Sequence, residues 1–332
     1  MIVNWFIKSE SFFNKINNID SSVILKGGKV YELMMYKLLK NKYKFKLFRE
    51  FDSLSSSKLL FIKNFFSSRN KKINEGISII DPYLLALNMP LPKTKNIAII
   101  HHIDFEKFNK TVKGKFFLKN LLNNIKQLDK VITVSKYWEE YLVIRNINNV
   151  ETIYNSFYLE KYKLKKHDKI YKKFNLSKSK PIIYLGSSSK QKGSDLAFKF
   201  IEKDRYQLVS TGNNYYNLPI NNYKLSDEEF IELLSIADLA LGLSEFKEGW
   251  NRTIHEAMLL KKPVIGFNSG GMGELLESGN QYIIKDIGSI NNLIEKALNN
   301  SQEKINDGYD FASKFDQNYF EKEWIRVFNS LK

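Results

Sequence analysis

The chain has 332 residues, with 52 Lys+Arg against 36 Asp+Glu, a formal net charge of +16, and no cysteine. Missing thiols exclude disulfide stapling and thiolate metal sites, and no uncharged apolar run reaches the ~18 residues a transmembrane helix needs. The length suits two α/β domains of roughly 150 residues each, both with sizeable cores.

Met1-Ile2-Val3-Asn4-Trp5-Phe6-Ile7 is apolar but too short for a signal segment and lacks a small-residue cleavage site, so a cytoplasmic address is expected. Gly27-Gly28, followed by Val30, Leu33, Met34 and Leu38 at helical spacing, reads as a glycine turn opening a helix over 28–40, where backbone can approach a phosphate. Ile97-Ala98-Ile99-Ile100 is a strand that ends in His101-His102-Ile103-Asp104. A helix over 114–128 and a strand over 129–134 come next. The stretch 158–180 is basic, polar and poor in apolar runs, which marks a boundary. Beyond it, strands over 181–186, 206–211, 238–243 and 263–267 alternate with helices over 226–236 and 286–298, the alternation of doubly wound sheets. Ser226 and Glu229 form a capping box at the start of 226–236.

The most informative local pattern is Glu248-Gly249-Trp250-Asn251-Arg252-Thr253-Ile254-His255-Glu256. It lies between two apolar runs, Ala237–Leu243 and Pro263–Phe267, and so in the loop and helix of a strand, loop, helix, strand unit. Ligands of such units gather beyond the carboxyl ends of the strands, where the loop feeds the helix. With the helix starting near Asn251, Glu248 is in the loop and Glu256 about one and a half turns inside, at roughly 3.6 residues per turn. Two carboxylates then bracket a patch of free helix N–H groups. Carboxylates only accept hydrogen bonds and suit vicinal hydroxyls, whereas exposed amides at a positive dipole end suit a phosphate. A sugar, a diphosphate and a ribose satisfy that order.

Together with Glu256-Ala257-Met258, Pro263-Val264 and Gly270-Gly271-Met272-Gly273-Glu274-Leu275, this pattern resembles the retaining GT-B glycosyltransferases of family 4, also called glycosyl transferases group 1. Gly186-Ser187-Ser188-Ser189-Lys190-Gln191-Lys192-Gly193 resembles the family's glycine, arginine, spacer, lysine, glycine loop, with Lys192 on the lysine position and Ser187 where the family has arginine. Val131–Ser135 and Thr152–Ser156 resemble the segments that precede the family's domain linker.

The resemblance implies an α/β, GT-B fold: two Rossmann-like doubly wound domains facing each other across a cleft. An acceptor-binding domain is expected over 1–160 with a linker to about 178, a nucleotide-sugar domain over 179–315, and a final helix over 316–332 crossing back to the first domain. It further implies a catalytic set of Glu248, Lys192 and either His101 or His102, with Glu248 on donor-sugar hydroxyls and Glu256 on the ribose diol. Gly27, Gly28, Gly186, Ser187, Lys190, Gly249, Asn251, Arg252 and Thr253 join the donor site, and Lys190 or Arg252 supplies the charge missing at Ser187. No Asp-x-Asp pair is present, so neither a metal nor a cofactor is expected. The implied reaction moves a sugar from a nucleotide-sugar to a hydroxyl of a glycan or glycolipid, as in surface polysaccharide, lipopolysaccharide or glycolipid synthesis.

Charge is uneven: residues 1–180 hold 35 Lys+Arg and 15 Asp+Glu, a net +20, whereas residues 181–332 hold 17 and 21, a net −4. Two segments are expected to meet an anionic membrane surface, 58–72 and 113–128, which would place the protein peripherally on the inner face. In the second, Lys115, Lys119 and Lys126 fall within roughly 40° of one another at about 100° per residue, beside the apolar stripe Leu118, Leu121, Leu122, Ile125, Leu128. Either that stripe enters the headgroup region with the lysines on the lipid, or the helix simply packs on its own sheet. Two rival functions remain at this stage. One is a basic nucleic-acid-binding protein, for which no binding motif is found; the other is a nucleotide-sugar epimerase or hydrolase of the same fold.

Overall fold

The structure, a computed structural model, describes residues 1–19, 25, 27–49, 73–87, 93–163 and 168–332. The basic segment 58–72 lies outside them. Two compact units are present, Met1–Ser156 with Gln317–Lys332, and Phe157–Asp316.

In the first unit the order is β1 (Ile2–Ile7), α1 (Glu10–Ile16), α2 (Gly28–Leu39), β2 (Lys44–Arg49), β3 (Ile77–Ile80), α3 (Pro82–Leu87), β4 (Lys95–Ile100), α4 (Phe105–Asn109), α5 (Val112–Ile125), β5 (Lys130–Thr133), α6 (Lys136–Val143) and β6 (Val150–Thr152), with a C-terminal helix over Gln317–Ser330. The strands pair in parallel in the order β2-β1-β3-β4-β5-β6. The order reverses between β1 and β3, so the ligand crevice of this sheet is expected beyond Ile7 and Ile80. Val3, Ile77, Ile79, Ile97 and Ile99 are buried, as expected of parallel strands covered on both faces. One core cluster joins Ile80, Ala98, Ile100 and Val131 of the strands to Leu118, Leu121, Ile125 and Leu128. The apolar stripe of α5 is therefore spent on its own sheet and does not face a membrane, because burying it there removes the larger apolar area from water.

The second unit runs α7 (Asp168–Lys173), β7 (Ile182–Ser187), α8 (Ser194–Phe200), β8 (Gln207–Thr211), β9 (Asn221–Tyr223), α9 (Asp227–Ile236), β10 (Leu239–Gly242), α10 (Arg252–Leu259), β11 (Val264–Phe267), α11 (Gly270–Ser278), β12 (Tyr282–Ile284), α12 (Ile290–Asn299) and α13 (Gln302–Ala312). Its parallel sheet has the order β12-β11-β10-β7-β8-β9, the doubly wound arrangement with its reversal between β7 and β10. The Ser226 hydroxyl accepts from Glu229 N while the Glu229 carboxylate takes Ser226 N, so the capping box closes α9 as its sequence requires. Ile183, Leu185, Leu239, Leu241, Ile265, Ile290 and Ile294 form the core.

Candidate active site

The reversal between β7 and β10 brings together the two loops that carry the motif residues, 186–193 after β7 and 243–251 after β10. They approach so closely that a side chain at Gly193 would put its Cβ 2.0 Å from the Leu243 carbonyl oxygen, and Gly193 has φ +77°. Glycine alone fits there. The approach lets Lys192 Nζ reach Glu248 Oε1 at 3.1 Å.

Glu248 is 6% exposed. Besides Lys192, its Oε1 accepts from the Ser244 hydroxyl and, at 3.1 Å, from Asn251 Nδ2. Its carbonyl accepts from Gly271 N at 2.9 Å, and it bridges Gly270, whose φ of +61° and 2.6 Å Cβ approach to that carbonyl again admit only glycine. Thus the Glu248 loop is sewn to the start of α11 and leads into the start of α10, and two positive helix ends converge on one short segment. Asn251 is the N-cap of α10, accepting from Ile254 N at 3.2 Å. Its position couples the start of the helix to the Glu248 carboxylate. Gly249 is buried beside it and Thr253 is half-buried on the first turn.

One turn further on, Glu256 Oε1 accepts from the Tyr162 hydroxyl at 3.1 Å and lies 3.9 Å from Arg252 Nη2. Burial pushes the Glu256 carboxyl above the usual carboxylate range, and Arg252 and the Tyr162 hydroxyl offset this only in part. The Arg252 guanidinium stands 4.2 Å over the Phe157 ring, which stacks in turn on His255 at 4.0 Å and 20°. A cation in the first helical turn opposes the dipole, and this aromatic face helps to hold it there. His255 is 0% exposed. Its Nδ1 accepts from Trp250 Nε1 at 3.1 Å, so Nε2 carries the proton and donates to the Ala312 carbonyl at 3.0 Å. Burial lowers its pKa from 6.5 to about 3, with the Arg252 charge adding to the effect, and the ring is neutral.

The residues singled out in the sequence separate into groups. Lys192, Glu248 and Asn251 form one hydrogen-bonded set, and Arg252 and Glu256, 3.9 Å apart, make a looser ion pair on α10. Ser187, by contrast, turns its hydroxyl to Ser189 at 2.8 Å, and exposed Lys190 lies 5.9 Å over the Tyr215 ring. Gly186, with φ +87°, ends the straight part of β7. Sequence reasoning missed Tyr162, Phe157 and His255. Tyr162 is 94 residues from its partner Glu256, so no local pattern announces the pair; His255 stood inside the motif and could have been noticed as one of only four histidines.

In the first unit, Gly27 is the N-cap of α2 with φ +53°. The ring of His101 lies where a Cβ of Gly28 would stand, 2.4 Å from its Cδ2. His101 Nε2 is 3.3 Å from Glu32 Oε1, and the ring meets Tyr31 edge-on at 5.3 Å. Glu32 is bound by Lys29 at 2.8 Å, and Lys29 lies 3.7 Å from Asp81. Burial disfavours the Glu32 charge, but Lys29 and His101 outweigh it and hold that carboxyl below its usual range. Burial also dominates at Asp81, whose carboxyl is raised. His101 is thus built against the helix start beside the β1/β3 reversal, whereas His102 is exposed. Among the described residues no group of three or more His, Asp or Glu is placed to hold a metal ion.

Two parallel doubly wound sheets, with carboxylates and lysine at the reversal point of the second, define a GT-B type of protein. A sucrose-phosphate synthase from Thermosynechococcus elongatus superposes with a TM-score of 0.78 at 15% identity, covering 100% of this chain and 99% of that one. Anabaena Alr3699/HepE in complex with UDP-glucose gives 0.69 at 16% identity and 100% of both chains. An uncharacterized glycosyltransferase of Methanocaldococcus jannaschii is 26% identical over 270 residues, 73% of this chain and 72% of its own. Residues 166–314, which lie in the second unit, match the family described as glycosyl transferases group 1.

Proposed function

We propose that the chain transfers a sugar from a nucleotide-sugar to a hydroxyl of a glycan or glycolipid, with retention at the anomeric carbon and without a metal, in surface polysaccharide, lipopolysaccharide or glycolipid synthesis. The observation that carries this reading is the Lys192–Glu248 pair at 3.1 Å, set at the start of α10 beyond the β7/β10 reversal. A neighbour of the same fold is described in complex with UDP-glucose, which supports this class of donor.

The anomeric carbon–oxygen bond to the diphosphate breaks, the acceptor oxygen bonds on the same face, and the acceptor proton passes to the leaving phosphate oxygen. Negative charge then grows on the diphosphate, and Lys192, the amides that open α10 and Arg252 stabilise it as preorganised donors. Arg252 takes the place of the arginine missing at Ser187. It sits in the first turn of α10, held on Phe157, while Lys190 is exposed over Tyr215. Glu248, fixed by three donors, holds donor-sugar hydroxyls, and Glu256 takes the ribose diol in exchange for part of its bond to Tyr162. The basic first half supports attraction of the protein to an anionic membrane and its glycolipids. The family match does not favour the nucleic-acid reading.

The test is a thermal-shift panel of nucleoside diphosphates and nucleotide-sugars on wild type and Glu256→Ala. A ligand stabilises the state it binds by RT ln(1 + [L]/Kd). A shift for one nucleotide class that Glu256→Ala abolishes is expected; no shift across the panel would sink the reading.

A further inference from the structure

The first unit with its C-terminal helix carries 29 Lys+Arg against 15 Asp+Glu, a net +14, whereas the second unit carries 23 against 21. On α5 the buried residues are Leu118, Leu121 and Ile125. At about 100° per residue, the opposite face is centred on Val112 and Phe116, one turn apart, and these are 85% and 66% exposed. Around them stand Lys110, Lys113, Lys115 and Lys119, all exposed. Asp104, the N-cap of α4, and Glu106 within it are the nearby acids in sequence. The corner between α4 and α5 is closely packed: a Cβ on Gly114 would come within 2.1 Å of the Phe108 carbonyl oxygen, and Phe108 stacks on Phe117 at 5.0 Å. An exposed apolar pair among lysines is costly in water and suited to the boundary between lipid headgroups and acyl chains.

We propose that this outward face of α5 docks on an anionic lipid surface, with Val112 and Phe116 entering between headgroups and the four lysines meeting their charge. The face that meets lipid is the reverse of the apolar stripe. Topology adds a consequence. Only four residues separate the end of β4 from α4, and α5 starts two residues after α4, so the start of α5 stands at the carboxyl edge of the sheet, the edge that also bears His101. Docking there turns that edge towards acceptors anchored in the lipid layer; this last step rests on the transferase reading, while the docking itself does not.

Flotation of the full chain with phosphatidylcholine vesicles, with and without a third of phosphatidylglycerol, tests the proposal. Binding is expected only with phosphatidylglycerol and should fall with salt. Lys115→Glu with Lys119→Glu should weaken it at least about twentyfold, at about fivefold for each lysine lost. Val112→Ala with Phe116→Ala should weaken it about tenfold with the salt dependence unchanged. Ile144→Ala, at the exposed apolar side chain that caps the end of α6, should change nothing. All five sites are exposed, and melting curves check that each variant is folded. Equal binding to both vesicle types, or binding unmoved by both double variants, overturns the proposal. So does binding to single-stranded RNA that needs the lysines but not Phe116, with no vesicle binding. Nucleotide shifts measured on the same proteins keep the two ideas apart: vesicle binding without a nucleotide shift would sink the transfer reading and leave the docking standing.

Discussion

His255 should make the second unit lose stability as pH falls, and the size of the loss can be worked out. Its Nδ1 accepts the Trp250 indole N–H and its Nε2 donates to Ala312 O, so a second proton at Nδ1 would set donor against donor in a place with no exposure. The folded pKa is about 3 against an ordinary 6.5, and at 1.36 kcal/mol per unit the protonated ring is disfavoured by about 5 kcal/mol. The folded value is depressed, so between about 3 and 6.5 the unfolded chain binds the proton and the folded one does not. Stability therefore rises with pH across that window, by about 1.4 kcal/mol per unit. Going from neutral pH to about pH 5 should cost about 2 kcal/mol from this residue, or about 4–8 °C in Tm. His255→Gln offers an oxygen to Trp250 and an NH2 to Ala312 but does not titrate. Urea unfolding of both proteins across that range, followed by tryptophan fluorescence, should show a steeper pH slope in the wild type by about 1.4 kcal/mol per unit. Equal slopes would refute the reasoning.

Glu256 has the opposite sign. Its carboxyl is raised by burial, so the stabilising neutral form is lost as pH rises; Glu256→Gln should melt higher than wild type at about pH 8, converge with it below the ordinary 4.5, and give no nucleotide shift. Gly193→Ala should cost more than the ~1–2 kcal/mol of a left-handed alanine, because its Cβ meets backbone at 2.0 Å, and should also remove the nucleotide shift by displacing Lys192. Gly27→Ala meets nothing within 4 Å of its Cβ, but φ +53° with ψ −126° lies outside the left-handed helical region, so it should cost backbone strain alone, about 1–3 kcal/mol, and a smaller loss in Gly193→Ala would contradict the clash. Glu32→Gln removes the partner of Lys29 and His101 and should lower stability by about 2 kcal/mol at neutral pH, a difference that shrinks as pH falls through the depressed Glu32 pKa; denaturant titration at two pH values checks it.

Much of the fold was legible because its elements carry strong local signals. The run 238–243 is uninterrupted and apolar, Ser226 and Glu229 cap α9, and the alternation of strand and helix in the second half needs no distant information. What escaped was either too short or decided from afar. β9 and β12 have three residues each, and β1 read as an apolar start without a stated structure. The period of α5 told which residues share a stripe but not what covers it, since a sheet and a lipid surface both reward the same pattern. Likewise His101 and His102 are neighbours of one type, and only the space left by Gly28 distinguishes them. The motif glutamates were visible from spacing, yet their pairing with Lys192 and Tyr162 depends on a strand reversal and on a turn before the second sheet, neither of which leaves a local trace.

The two motif carboxylates meet different surroundings, and the difference fits different work. Glu248 faces Lys192, Ser244 and Asn251, and these donors fix its orientation. Glu256 has a phenol at 3.1 Å and a guanidinium no nearer than 3.9 Å, and burial raises it. A carboxylate short of donors gains most from a ligand that brings two hydroxyls, since each new hydrogen bond favours the ionised form. A diphosphate beside Arg252 would draw on a cation that Glu256 engages only loosely. The proposed donor thus improves the surroundings of Glu256 and Arg252 together, whereas Glu248 and Lys192 are already matched before it arrives. Binding energy should accordingly depend more on Glu256 and Arg252, and the rate of transfer more on Glu248 and Lys192.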